Sequence, residues 1–186
     1  DWPWETFVTT YSDAHGQFGG DVPLLSYLPS DQPYRVIASL DGREPPAPVA
    51  LQPGQPNTID WRLGGAGDVS YRIVDQAGQP SPARISVYRD NALVKRLYSG
   101  NGSGHFRLAP GHYAIGVSRG FEYSIVEQPL EVPAGISTPL DLRLDRLIDT
   151  RGYLSFDAHV HSAPSPDSPV SVTDRIRTAA ATGLEV

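Results

Sequence analysis

Tyr153 to Ser162 reads Y-L-S-F-D-A-H-V-H-S, which sets Asp157, His159 and His161 at alternate positions. In an extended strand, residues i, i+2 and i+4 project from one face, so a carboxylate and two imidazoles would share one side of the chain. Two imidazoles spaced this way can bind one divalent ion or two neighbouring ones. Asp167 follows in a Pro- and Ser-rich loop, Ala163 to Pro169, close enough in sequence to fold back over the strand end. The chain has no Cys, so any metal here must be held by nitrogen and oxygen, a donor set that suits manganese, iron or zinc.

Stepping outward from these residues, S-V-T-D-R-I-R-T-A-A-A-T-G predicts a helix that begins after Ser171 and stops at Gly183. Ser171 with Asp174 three residues on is a capping-box-like start, and Gly183 is a natural stop. Val172, Ile176, Ala179 and Ala180 fall on one helical face. Leu184 to Val186 then begins another strand. Strand, loop, helix and strand open an α/β domain, whose ligands sit at the carboxyl ends of its strands, where His159 and His161 fall.

The stretch R-G-Y-L-S-F-D-A-H-V-H-S-A-P-S-P-D-S-P resembles the first motif of the PHP (polymerase and histidinol phosphatase) superfamily, particularly its carbaryl-hydrolase-like branch, over about residues 150–186. The resemblance implies that His159 and His161 are metal ligands and that Asp167 is a loop carboxylate helping to bind a further metal. It casts Asp157 as a supporting carboxylate behind the ligands. Ser155-Phe156-Asp157 stands where many relatives have Ser-Gly-Asp, and Ser168 follows Asp167 where Gly is commoner. The implied activity is hydrolysis of a small-molecule phosphoester, or an amide or carbamate ester, by metal-activated water in a bi- or trinuclear centre. Such a centre needs more ligands than this stretch carries. The expectation is therefore a piece of a larger metallohydrolase that binds metal poorly and is inactive by itself.

Upstream the pattern changes to short alternating strands. Val69, Tyr71 and Ile73 share a parity, as do Ile85 and Val87, Phe106 and Leu108, then Tyr113, Ile115 and Val117, and last Leu140, Leu142 and Leu144. One apolar face per strand is the mark of a β-sandwich. The chain also repeats itself. Asp13–Phe18 matches Asn101–Phe106, Tyr34–Glu44 parallels Tyr113–Glu122, and Leu51–Leu63 parallels Val132–Leu144. These segments resemble carboxypeptidase-regulatory-like, transthyretin-like sandwiches. The expected organisation is a partial sandwich repeat over residues 1–64, a complete one over 65–149, and the start of the metallohydrolase domain over 150–186. The first repeat is expected to lack the opening pair of the second and to be the less stable of the two.

Other residues have plainer readings. His15, His105 and His112 fall in turns or at strand starts and read as surface residues. Trp2, Trp4, Tyr11 and Trp61 could form an aromatic platform, but Trp61 alternates with Ile59 and Leu63 and reads as core. Arg119 and Glu122 read as a solvated turn pair or as a contact docking the sandwich onto the following domain. Gly and Pro number 18 each, which favours turns and short strands over long helices. A net charge of -6 with a pI near 5.2 gives no basic footprint for nucleic acid, and no stretch approaches the roughly 18 apolar residues of a membrane span. Two functions from different classes remain: a metal-dependent hydrolase with an accessory sandwich, and a non-catalytic sandwich interaction module whose terminal histidines are incidental.

Overall fold

The computed structural model describes residues 8–22, 34–52 and 54–185. The chain is mainly β and divides into two compact units, residues 1–38 with 47–61, and residues 39–46 with 62–186. Residues 150–186 therefore belong to the same unit as the sandwich.

In the first unit, β1 (Arg35–Val36) pairs antiparallel with β2 (Val49–Ala50), and the Leu51 N–H extends the ladder by donating to the Tyr34 carbonyl at 2.8 Å. Phe18 stacks on the half-buried Trp61 with ring centroids 5.8 Å apart, so Trp61 is a packing residue of this unit. Tyr11 is exposed, and Trp2 and Trp4 lie outside the described residues.

The second unit carries a seven-stranded sandwich. One sheet runs β6 (Ser103–Leu108), β3 (Gly67–Asp75), β9 (Ser137–Leu144); the other runs β5 (Ala92–Ser99), β4 (Ala83–Arg89), β7 (Gly111–Ser118), β8 (Val126–Val132). All pairings are antiparallel except β3 with β9, which run parallel from Asp68↔Ser137 to Asp75↔Leu144. β3 and β4 sit in opposite sheets rather than forming a hairpin. The chain between them turns through the Val74↔Pro80 bridge, and both strands turn an apolar face into the core between the sheets. β4 and β5 are joined by a tight turn in which Asp90 and Asn91 have φ of 50° and 64°, the left-handed pair that suits the twist of a two-residue hairpin.

The core is built from the alternating residues. Val69, Ile73, Ile85, Val87, Phe106, Leu108, Tyr113, Ile115, Val117, Leu140, Leu142 and Leu144 are all buried in one cluster, with Leu130 and Val132 added from β8. Tyr71 is half-buried at its margin, in ring contact with Phe106. Segment 39–46 is fastened to the outside of the sandwich by exposed ion pairs, Lys95 to Asp41 at 2.6 Å and Arg89 to Glu44 at 2.7 Å.

One turn geometry occurs twice in the chain. Asp13 Oδ1 accepts from the backbone N–H groups of His15 and Gln17, both at 2.8 Å, and Asp75 Oδ1 accepts from those of Ala77 and Gln79 at 2.8 and 2.9 Å. Backbone bonds Asp13 N–H to Gln17 O and Asp75 N–H to Gln79 O are both 2.8 Å, and Gly16 and Gly78 share φ near 78° and 76°. D-A-H-G-Q and D-Q-A-G-Q thus form turns of the same geometry. Asp, Gly and Gln at fixed spacing specify this turn, whereas the Asn101 turn keeps only a 3.3 Å contact to the Ser103 N–H. β1 with β2 mirrors β7 with β8, and Gly54 and Gly135 both have φ of 71°.

One phenol spans core and loop. Tyr113 is buried, donates to the Ala109 carbonyl at 2.7 Å, and lies under the Arg89 guanidinium at 5.6 Å from its ring centre. Burial raises its pKa above the ordinary value, against a smaller lowering by Arg89. A raised phenol pKa means that the unfolded chain ionises first, so stability is complete below about pH 10 and falls as pH rises through the folded-state value. Tyr113→Phe is expected to cost about 0.5–1.5 kcal/mol at neutral pH and to flatten the alkaline loss, as denaturant melts at pH 7 and above pH 10 will show.

Candidate metal centre

The strand expected over residues 153–162 does not form. The segment is extended, but its one backbone rung among the described residues is the Glu185 N–H donating to the Ser155 carbonyl at 2.8 Å, with Glu185 Oε2 accepting from the Ser155 N–H at 3.2 Å. A ladder needs a neighbour several residues long, and Leu184–Glu185 is too short to supply one. Tyr153, Leu154, Phe156 and Val160 are accordingly exposed.

Alternation nonetheless puts the two imidazoles on the same side. His159 Nε2 and His161 Nε2 are 2.6 Å apart, with the rings stacked at a centroid distance of 4.7 Å. His161 Nδ1 lies 2.8 Å from Asp167 Oδ1. With that Nδ1–H donated to the carboxylate, His161 Nε2 carries its lone pair outward and His159 Nε2–H donates to it. Asp157 is used differently: its Oδ1 accepts from the His159 backbone N–H at 3.0 Å, fixing the chain rather than a ring.

Asp167 is brought back by a closed loop. The Ala163 N–H donates to the Val170 carbonyl at 2.6 Å, the Ser165 N–H to the Ser162 carbonyl at 2.6 Å, and the Ser168 N–H to the Ser165 carbonyl at 3.3 Å. Prolines at 164, 166 and 169 stiffen the same span. Helix α1 (Val172–Ala181) follows, as its signals predict. Ser171 Oγ accepts from the Asp174 N–H at 3.0 Å and donates to the Asp174 carboxylate at 2.7 Å. At the other end Gly183, at φ 88°, completes a Schellman stop in which the Leu184 N–H reaches the Ala179 carbonyl and the Gly183 N–H the Ala180 carbonyl.

The face that the helix seats is the predicted one only in part: Ala179 and Ala180 are half-buried. α1 packs against β4 and β5 with Ala181 fully buried and the Arg177 stem lying over Gly100, while Val172 and Ile176 are exposed. The seat is set by two backbones. Gly120 and Gly183 meet so closely that a Cβ on Gly120 would lie 2.5 Å from the Thr182 carbonyl oxygen, and one on Gly183 would lie 3.2 Å from the Gly120 Cα. Nearby, Arg119 and Glu122 do not pair with each other. Arg119 lies over the Tyr123 ring at 4.7 Å and donates to Ser81 Oγ at 3.3 Å, and Glu122 binds Arg146 at 2.6 Å and accepts from Thr150 Oγ at 2.7 Å. The loop Ser118–Tyr123 is thus a docking joint for both the 145–150 segment and the end of α1, and its glycine was the signal that sequence reasoning passed over.

A metal fit can be judged from the donors. Tetrahedral ligation at about 2.0–2.1 Å per imidazole separates the two nitrogens by about 3.3 Å, so the pair must open by about 0.7 Å to admit an ion. The Nε2 atoms already converge, and Asp167 behind His161 is the carboxylate–imidazole arrangement that orients a ligating ring. Asp167 lies on the far side of that ring from Nε2. Among the described residues no group of three or more His, Cys, Asp or Glu is arranged to hold a metal ion. His15, His105 and His112 are exposed and stand elsewhere. No helix among the described residues is long and apolar enough to cross a membrane.

No protein-family profile matches the chain, and no curated protein matches it. Among solved structures it is similar to the TIE protein of Bacillus anthracis, with 16% identity and a TM-score of 0.39 over 44% of this chain and 17% of that one. It is also similar to GBS52, the minor pilin of Streptococcus agalactiae, with 15% identity and a TM-score of 0.37 over 62% of each chain. The chain thus spans less than two thirds of either protein.

If Asp167 orients the His161 ring, Asp167→Ala should weaken Zn2+ binding by about 10–100-fold while leaving the sandwich melting transition in place. Competition titration against a chromogenic chelator reads the first quantity and thermal melting the second. Equal affinities for variant and wild type would remove Asp167 from the site.

Proposed function

We propose that this chain carries the first ligands of a divalent-metal centre in a metal-dependent hydrolase, with the β-sandwich unit as the accessory body on which that centre is built. The observation that supports it is the convergence of His159 Nε2 and His161 Nε2 to 2.6 Å with Asp167 seated behind His161. Manganese, iron or zinc would be held by the two Nε2 atoms, in keeping with a donor set that lacks thiolate. A bound ion would supply Lewis acidity and an activated water for attack on a phosphoester or an amide or carbamate ester.

The residues of this chain do the positioning. Asp167 holds the His161 tautomer, Asp157 fixes the His159 backbone, and the capped helix carries the loop between them. Two nitrogen ligands are fewer than a catalytic centre uses, so this reading assigns the remaining ligands to sequence outside residues 1–186. The resemblance of residues 150–186 to the first PHP motif is in keeping with that assignment.

In the full-length protein, His159→Ala and His161→Ala are expected to abolish hydrolysis and bound metal together. The sandwich should melt as in wild type, because both imidazoles are outside its core. Metal analysis of the purified variants, with turnover of generic phosphoester and carboxyl-ester substrates, decides the matter. Wild-type metal content and turnover in both variants would leave the non-catalytic sandwich module as the better account.

A further inference from the structure

We propose that Arg175 is a positioning residue for this centre: from helix α1 it fixes the backbone at His161 and so keeps the His161 ring between Asp167 and His159. The inference deepens the metal-site reading and rests on it. The carbonyl of His161 is the point where helix and loop meet. Arg175 Nε–H donates to it at 2.9 Å, and Ser168 Oγ–H reaches it at 3.4 Å. The same residue's imidazole donates its Nδ1–H to Asp167, the neighbour of Ser168, at 2.8 Å. Backbone and ring of His161 are therefore held from one loop and one helix, and Arg175 is the contact that comes from the helix.

That element is itself anchored. Arg175 lies one turn inside the capped start of α1, its own N–H bonded to the Ser171 carbonyl at 2.9 Å. The far end of α1 is seated by Ala181 in the sandwich and by the Gly120 to Gly183 approach. A chain of contacts thus runs from the sandwich through α1 to the metal-facing histidine. Arg suits the task because Nε–H is part of a planar group of fixed direction, whereas a Lys ammonium on a flexible stem holds a carbonyl less firmly.

The test compares Arg175→Ala and Arg175→Lys with wild type, using Zn2+ alone as the probe and the nitrogen and proton NMR signals of the His161 ring in metal-free protein. Arg175→Ala is expected to lower Zn2+ affinity about tenfold and to lose the hydrogen-bonded Nδ1–H signal of His161, with Arg175→Lys recovering part of both. Helical circular dichroism and the melting transition should stay at wild-type values. Wild-type affinity and ring signal in Arg175→Ala would overturn the proposal, as would loss of the helix itself. If wild type takes up no Zn2+ and the ring signal still changes in Arg175→Ala, the metal reading falls and the positioning role stands.

Discussion

Everything C-terminal to the sandwich depends on one close approach between two backbones. Gly120, in the loop after β7, leaves no room for a side chain, and Gly183, at the end of α1, leaves only a tight fit for one. Both have positive φ, 64° and 88°, so each position is demanding in conformation as well as in space. The contact is between chain and chain, so the helix end lies directly against the loop after β7. The Glu122, Arg146 and Thr150 cluster beside it holds the incoming segment by charge-assisted bonds. Arg146 also donates its backbone N–H to Gln76 at 2.8 Å, tying the segment to the β3–β4 turn. A short ten-residue helix, marginal in water by itself, is thereby given a fixed seat.

The sandwich was legible because its signal is local and binary. Each strand carries alternating apolar residues, and a one-residue slip would turn all of them out of the core, so Val69, Ile73, Ile85 and Val87 could be assigned inward without knowing which strands pair. Pairing was less legible. That β3 runs parallel to β9 and sits opposite β4 follows from how two sheets share one core, and strand sequences do not encode that directly. The turn Asp13–Gln17 shows a related limit of letter matching. The same geometry recurs at Asp75–Gln79, recognised by which side chain bonds which N–H, and that pattern hangs on Asp, Gly and Gln at set spacings.

In the C-terminal segment, start and stop signals read correctly where burial did not. Ser171 and Gly183 act through bonds to the nearest few residues, so their effect is fixed by sequence. The buried face of α1 is set by what lies beneath it. Of the apolar stripe Ala179 and Ala180 are half-buried, but Val172 and Ile176 stay exposed and Ala181 is the residue fully buried. Similarly, Asp157, His159 and His161 were read from strand alternation, and the two rings do share a side although no strand forms. What alternation could not foresee is that the Asp157 carboxylate would turn to the backbone and that Asp167, from a loop stiffened by three prolines, would take the ring.

The state of the histidine pair follows from these constraints. An N–H···N contact between exposed imidazoles is worth about 1 kcal/mol net, since water offers each ring an equivalent partner when they separate. Opening the pair by the about 0.7 Å that an ion requires therefore meets little resistance from the contact itself. Asp167 keeps its place meanwhile, because its bond is to Nδ1, on the side of the ring away from the partner imidazole. The cost of ordering His161 has been met in advance by the loop closure and by Arg175, neither of which must move. Under the proposed metal-site reading, a pair whose orientation is held from behind and whose front contact is weak would exchange one shared proton for an ion without rearranging the fold that presents it.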